Sequence, residues 1–201
     1  HKCCWRPLNY WALLYTVYSV LAAVRLQSQP RFSRCSSITG CLMSYETITA
    51  EPLTPYLGAI VSGVDLTRPL AEDEVQQLRQ AIADYQVIFF RDQRLDPASL
   101  KRVGRYFGNL QIHALKGLSA EHPEVRKLHA DESSKHVAGE EWHSDMTCAE
   151  IPPMGSILYL HTLPTLGGDT MFASMYAAYD ALSDRMKDYL EGLTATHDGK
   201  L

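Results

Sequence analysis

The chain has 201 residues, enough for one domain with a sizeable core. With 46% hydrophobic and 21% charged residues it has the make-up of an ordinary soluble globular protein. A formal net charge of −4 gives no electrostatic footprint for nucleic acid, so no nucleic-acid partner is expected.

That average conceals a shift along the chain. Residues 1–42 hold no Asp or Glu and five of the 19 basic residues, leaving fourteen beside all 23 acidic ones. Four of the five cysteines (Cys3, Cys4, Cys35, Cys41) also fall there, without zinc-ligand spacing or a histidine pair. Residues 1–42 therefore read as an extension outside the domain, and three origins fit. A basic start, an apolar run over 10–24 and an acid-free Arg/Ser stretch suit a targeting segment. A membrane anchor is the second, although the run falls short of the ~20 residues that span a bilayer. The third is translated upstream sequence: the chain opens on His1, and well-patterned sequence begins after Met43. Cys148, the remaining cysteine, reads as a small buried hydrophobe.

From residue 43 the elements follow in order. Residues 45–66 alternate apolar and polar positions between Pro52, Pro55, Gly58 and Gly63, a pattern of short strands and turns. Val75, Leu78, Ile82 and Tyr85 recur at helical spacing over 71–85. The apolar run in 86–91 predicts a buried strand. Asp96-Pro97 predicts a helix start, Asp as N-cap and Pro at the first helical position, with Leu100, Val103 and Phe107 inward and Gly108 at its end. Residues 111–141 are polar and loop-like, with a strand expected near 125–128. Further strands are expected near 142–149 and 155–162, and another at 169–172 after a Gly167-Gly168 turn. Helices are expected at about 174–181 and 184–191, the second capped by Ser183. Strands crowd around residue 143 and helices flank them, which indicates an α+β sheet core with helices packed outside.

The residues most able to carry chemistry are in Trp142-His143-Ser144-Asp145. On a strand, His143 and Asp145 share a face and can hold one metal ion, with Trp142 and Met146 anchoring the opposite face. Imidazole plus carboxylate is two-thirds of the 2-His-1-carboxylate facial triad of non-haem Fe(II) oxygenases. Two polar residues on a solvent-facing strand give the same tripeptide.

Several spaced motifs occur together: Pro55-Tyr56-Leu57-Gly58-Ala59, Gly63-Val64-Asp65-Leu66-Thr67-Arg68-Pro69-Leu70, Val87-Ile88-Phe89-Phe90-Arg91-Asp92-Gln93, Phe107-Gly108, the His-x-Asp stretch, Pro152-Pro153 and Gly167-Gly168-Asp169-Thr170. In that order they resemble the taurine dioxygenase family of Fe(II)- and 2-oxoglutarate-dependent dioxygenases, from about residue 45 to the last residue. The resemblance implies a double-stranded β-helix (jelly-roll) core with flanking helices, of which residues 43–201 form the amino-terminal part. It implies Fe(II) on His143 and Asp145, with 2-oxoglutarate and O₂ as co-substrates. It assigns Thr170 to a 2-oxoglutarate carboxylate, where a hydroxyl at a tight turn donates a charge-assisted hydrogen bond, and His113 to the anionic group of the substrate. The implied substrate is a small organic anion: a sulfonate, sulfate ester or carboxylate. A cytoplasmic protein with no membrane partner, homo-oligomeric at full length, completes the expectation.

Departures from the family pattern matter as well. Lys116 stands where the taurine enzyme has a tyrosine, and Gly139 where it has an asparagine. Taurine itself is thus not the expected substrate. The family's second iron histidine and its 2-oxoglutarate arginine have no match after Asp145; neither His161 nor His197 fits the distal ligand. The carboxyl end is therefore expected to be incomplete, with little or no turnover by this piece. The alternatives are a non-catalytic metal- or anion-binding relative, tethered to a membrane through residues 1–42, and a structural zinc or cupin-like protein, which needs more histidines near the motif.

Overall fold

The computed structural model describes residues 12–20, 45–112, 119–131, 134–135, 142–162 and 164–196. They form two compact units.

The first unit comprises residues 12–20 and Leu95–Met171. Its sheet has four strands: β1 (Ala12–Val20), β5 (Asn109–Gln111), β6 (Val125–Ala130) and β7 (Gly155–Thr162). Backbone pairing with β1 is antiparallel throughout. Ala12–Val17 pairs with β6, Tyr18–Val20 with β5 and Leu13–Ser19 with β7. A strand has two hydrogen-bonding edges, so β7 takes one and β5 and β6 share the other. The nine-residue run that carries β1 lies in the segment expected to be an extension, and it occupies the middle of this sheet.

Helix α2 (Pro97–Arg105) starts as its sequence dictates. Asp96 Oδ1 accepts from the Ser99 N–H at 2.7 Å, and Pro97 opens the first turn. Its inward face is Leu100 and Val103, and Phe107 just beyond its end is also buried. Leu100 and Val125 are fully buried and pack with Leu95, Leu110, Ile157 and Tyr159. The period of two along β7 is visible in its burial: Ile157 and Tyr159 face this core, while Ser156, Leu158 and Leu160 face away and are exposed.

The second unit comprises residues 45–94 and Phe172–Thr196. Strand β2 (Thr49–Pro52) runs antiparallel to β3 (Ala59–Ser62), which pairs in parallel with β4 (Ile88–Phe89). Parallel neighbours need a crossover, and α1 (Glu72–Tyr85) supplies it. Val75, Leu78 and Ala81 are its buried stripe, and they join Ile48, Ala50, Ala59 and Val61 in the core. Arg68 clamps Glu74 through two hydrogen bonds, at 2.6 and 3.1 Å. Glu74 in turn accepts from the Ala71 N–H at 2.8 Å. Ala71 is the N-cap and has no side-chain acceptor, so this is the backward half of a capping box. Two short helices, α3 (Met175–Asp180) and α4 (Asp184–Leu190), are capped by Ser174 and Ser183 and bury no residue. Among the described residues no helix is long and apolar enough to cross a membrane.

Four expectations are corrected. Residues 142–149 are not a strand: 142–144 have no regular structure, and 145–150 are turn and bend. Residues 169–172 are likewise outside any strand. The strand expected over 86–91 shrinks to Ile88–Phe89, because Gln86 (φ 65°) and Asp92 (φ 57°) turn the backbone to either side of it. Cys148, expected to be buried, is exposed.

Candidate metal centre

His143 and Asp145 do come together. The His143 Nε2 and Asp145 Oδ1 atoms are 3.3 Å apart. A turn achieves this contact. Met146 follows Asp145 with φ of +52°, a left-handed conformation that a methionine adopts only at a cost. The Ala149 N–H then closes onto the Met146 carbonyl at 3.0 Å. The backbone reverses directly after the carboxylate, and Asp145 reaches across to β7. There the Ser156 Oγ donates to Asp145 Oδ2 at 2.6 Å. Trp142, expected to anchor a strand in the core, is 68% exposed instead.

This spacing suits a shared ion. Two donors at roughly 2.1 Å from an octahedral cation, at right angles to each other, stand about 3.0 Å apart. The separation in this pair is close to that bite. The side chains are 54% and 42% exposed, so an ion held there would keep open positions toward solvent. Among the described residues no third His, Cys, Asp or Glu completes a cluster. The donor set is an imidazole and a carboxylate with no thiolate, which suits Fe(II) better than a soft-metal site.

Thr170 is exposed and follows Gly167 (φ 75°) and Gly168 (φ 73°), both left-handed; the bend in this stretch lies at 165–166, just before the turn expected at Gly167-Gly168. No hydrogen bond among the described residues joins it to His143 or Asp145. His113 lies outside the described residues, as do Lys116, Gly139, His136 and His197. His129, expected in a loop, is on β6, where its Nε2 meets Asp131 Oδ2 at 3.1 Å. His161 on β7 pairs with Thr162 Oγ1 at 3.0 Å.

Sequence reasoning missed Ser156. Its only sequence signal is its position two residues after Pro-Pro-Met, at the start of a strand that continues as the unbroken apolar run 157–160. That run predicts the strand but neither the face on which Ser156 sits nor what meets it.

Comparison with known proteins agrees with the motifs. The family model described as "Taurine catabolism dioxygenase TauD, TfdA family" matches residues 49–200. A Schizosaccharomyces pombe protein, named as a candidate alpha-ketoglutarate-dependent sulfonate dioxygenase, is 31% identical over 87% of this chain and 44% of its own length. An alkylsulfatase of Acinetobacter baylyi is 30% identical over 77% of this chain and 48% of its own. Among solved structures, a taurine dioxygenase from Burkholderia xenovorans superposes with a TM-score of 0.61 at 32% identity, covering 73% of this chain and 52% of that one. The chain thus spans about half the length of the relatives it matches.

Proposed function

Because the chain belongs to the taurine catabolism dioxygenase TauD, TfdA family, we propose that it carries two of the three protein ligands of an Fe(II)- and 2-oxoglutarate-dependent dioxygenase acting on a small organic anion. The observation that carries this reading is the 3.3 Å approach of His143 Nε2 to Asp145 Oδ1 on the open face of β7. When bound, Fe(II) with 2-oxoglutarate and O₂ supplies the oxidation: 2-oxoglutarate is decarboxylated to succinate and CO₂, and a substrate C–H is hydroxylated.

The residues of this chain bind and orient. His143 offers Nε2 and Asp145 offers Oδ1, a pairing of imidazole and carboxylate that suits a non-haem iron. Thr170 donates its hydroxyl hydrogen to a 2-oxoglutarate carboxylate, and His113 meets the anionic group of the substrate; the family motif supports both roles. The names of the relatives, which include sulfonate, alkyl sulfate and phenoxyacetate enzymes, support a small organic anion of the sulfonate, sulfate ester or carboxylate class as substrate. A double-stranded β-helix is the fold we assign to the whole domain. The exposed Leu158 and Leu160, on the same face of β7 as Ser156, support it, because a second sheet would cover them.

The second iron histidine and the 2-oxoglutarate arginine of the family have no match in residues 146–201. Turnover is therefore assigned to the protein that carries a complete family domain, and partial metal binding to this chain. The test is succinate release from 2-oxoglutarate by the protein containing this chain, with Fe(II), O₂ and a panel of alkyl sulfonates, sulfate esters and aryloxy carboxylates. Substrate-stimulated succinate that disappears in His143→Ala and Asp145→Ala is the expected result. Metal binding without succinate for any substrate would favour a non-catalytic relative, and undiminished succinate from both variants would remove the ligand assignment.

A further inference from the structure

We infer that Ser156 is a positioning residue that determines which oxygen of Asp145 is offered to a divalent metal ion. This rests on the proposed metal centre and adds to it a residue that neither the motif nor the family pattern supplied. A free carboxylate presents two oxygens and can bind an ion through one or both. In this chain the two oxygens are already different. Oδ2 receives the Ser156 hydroxyl at 2.6 Å, in the range of a charge-assisted O–H···O⁻ bond. Oδ1 is the oxygen 3.3 Å from His143 Nε2. With Oδ2 held by the hydroxyl, Asp145 binds an ion through Oδ1 alone, beside the imidazole.

The two partners differ in how firmly they are held. Asp145 opens an exposed turn whose next residue, Met146, sits at φ +52°. Ser156 is the second residue of β7, and its neighbour Ile157 packs against the buried Leu100–Val125 core. The pleat therefore aims the Ser156 hydroxyl at the open face from a fixed backbone. A ligand on a turn gains its orientation from a hydroxyl on a strand. Hydrogen-bond partners of this kind typically contribute 10- to 100-fold to metal affinity.

The test is Mn²⁺ titration of the whole 201-residue chain, following the electron paramagnetic resonance signal of the free ion, with thermal melting of the metal-free protein alongside. Ser156→Ala should weaken Mn²⁺ binding by about tenfold with little change in melting. Ser156→Thr, which keeps the hydroxyl, should restore most of the affinity. Ser156→Cys keeps the volume with a poorer donor and should show an intermediate loss, which serves if the alanine variant fails to fold. Loss of binding in Asp145→Ala together with wild-type affinity in Ser156→Ala and Ser156→Cys would overturn the inference while leaving the ligand pair intact. Wild-type affinity in Asp145→Ala would overturn both. A fall in metal-free stability of the Ser156 variants with unchanged affinity of the folded protein would show a purely structural tie, and would also overturn it.

Discussion

The hydroxyl of Tyr159 accepts a hydrogen bond from the backbone N–H of Leu95 at 3.3 Å, across 64 positions of sequence. It joins the middle of β7 to the residue before the N-cap of α2. Beneath it lies the Leu100–Val125 core, also lined by Ile157 and Tyr159. The inner face of β7 is thereby fixed, and the outer face, with Ser156, is presented to Asp145. This small core thus holds the strand from which Ser156 meets Asp145.

Leu100 is one of the two fully buried residues of that core. It is 1% exposed and sits on the inward face of α2. Leu100→Ala removes buried methyl groups and leaves a cavity, so a loss of about 2–5 kcal/mol is expected from urea unfolding of the chain. A loss under about 0.5 kcal/mol, the size of an ordinary surface change, would show that β7 is held by something else.

Gly168 has two independent reasons to be glycine. Its φ is +73°, and a Cβ built on it would lie 2.9 Å from Cγ of the Pro164 ring. A ring atom cannot swing away as a flexible side-chain tip can. Gly168→Ala should cost about 1–3 kcal/mol and displace Thr170 two residues later. In the protein containing this chain the effect would be a raised KM for 2-oxoglutarate. Unchanged stability and KM would separate this turn from the co-substrate.

Much of this organisation is local and therefore legible in the sequence. Asp96-Pro97 and Ser183 cap the helices they signal, the stripe of α1 begins with Val75 and Leu78, and β7 covers the residues its apolar run predicts. The irregular parts depend on tertiary contacts. Trp142, Met146 and Cys148 would share one face of a strand and His143, Asp145 and Thr147 the other, yet the left-handed Met146 makes a turn, and no glycine in that stretch announces it. Ser156 became meaningful only once Asp145 lay against it. The apolar run containing Ala12–Val20 shows the limit of periodicity: a short apolar segment fits a leader, an anchor or a strand, and periodicity does not foresee its pairing with β6 and β7. His113 lies outside the described residues, so its role continues to rest on the family motif.

The Arg68–Glu74 clamp should set part of the acid sensitivity. Hydrogen bonds from the Arg68 guanidinium, and then from the Ala71 N–H, hold the Glu74 carboxyl below the usual glutamate range. A carboxyl whose folded value is lowered contributes stability above its unfolded value of about 4.3 and loses it as pH falls through the folded value. Because half of the Arg68 side chain is exposed, the contribution at neutral pH is on the order of 1 kcal/mol. Glu74→Gln should lower stability at pH 7 by that amount and flatten its decline between pH 5 and pH 3. An acid limb identical to wild type would show that Glu74 makes no contribution to it.

Helices α3 and α4 leave Met175, Tyr176, Tyr179, Met186 and Tyr189 exposed. Apolar faces of this kind bind hydrophobic dyes and promote association. The folded chain should therefore enhance Nile red fluorescence. Tyr176→Ser with Tyr189→Ser should reduce it with a stability change within about 0.5 kcal/mol, since surface substitutions seldom cost more. Undiminished fluorescence in the double variant would move the dye site elsewhere.

Fe(II) is the divalent ion proposed to bind His143 and Asp145 together. Equilibrium dialysis of the chain against ferrous iron under anaerobic conditions, with iron per chain quantified, tests it most directly. One iron per chain at saturation, lost in His143→Ala and again in Asp145→Ala, is the expected result. Iron bound equally well by both variants would contradict it.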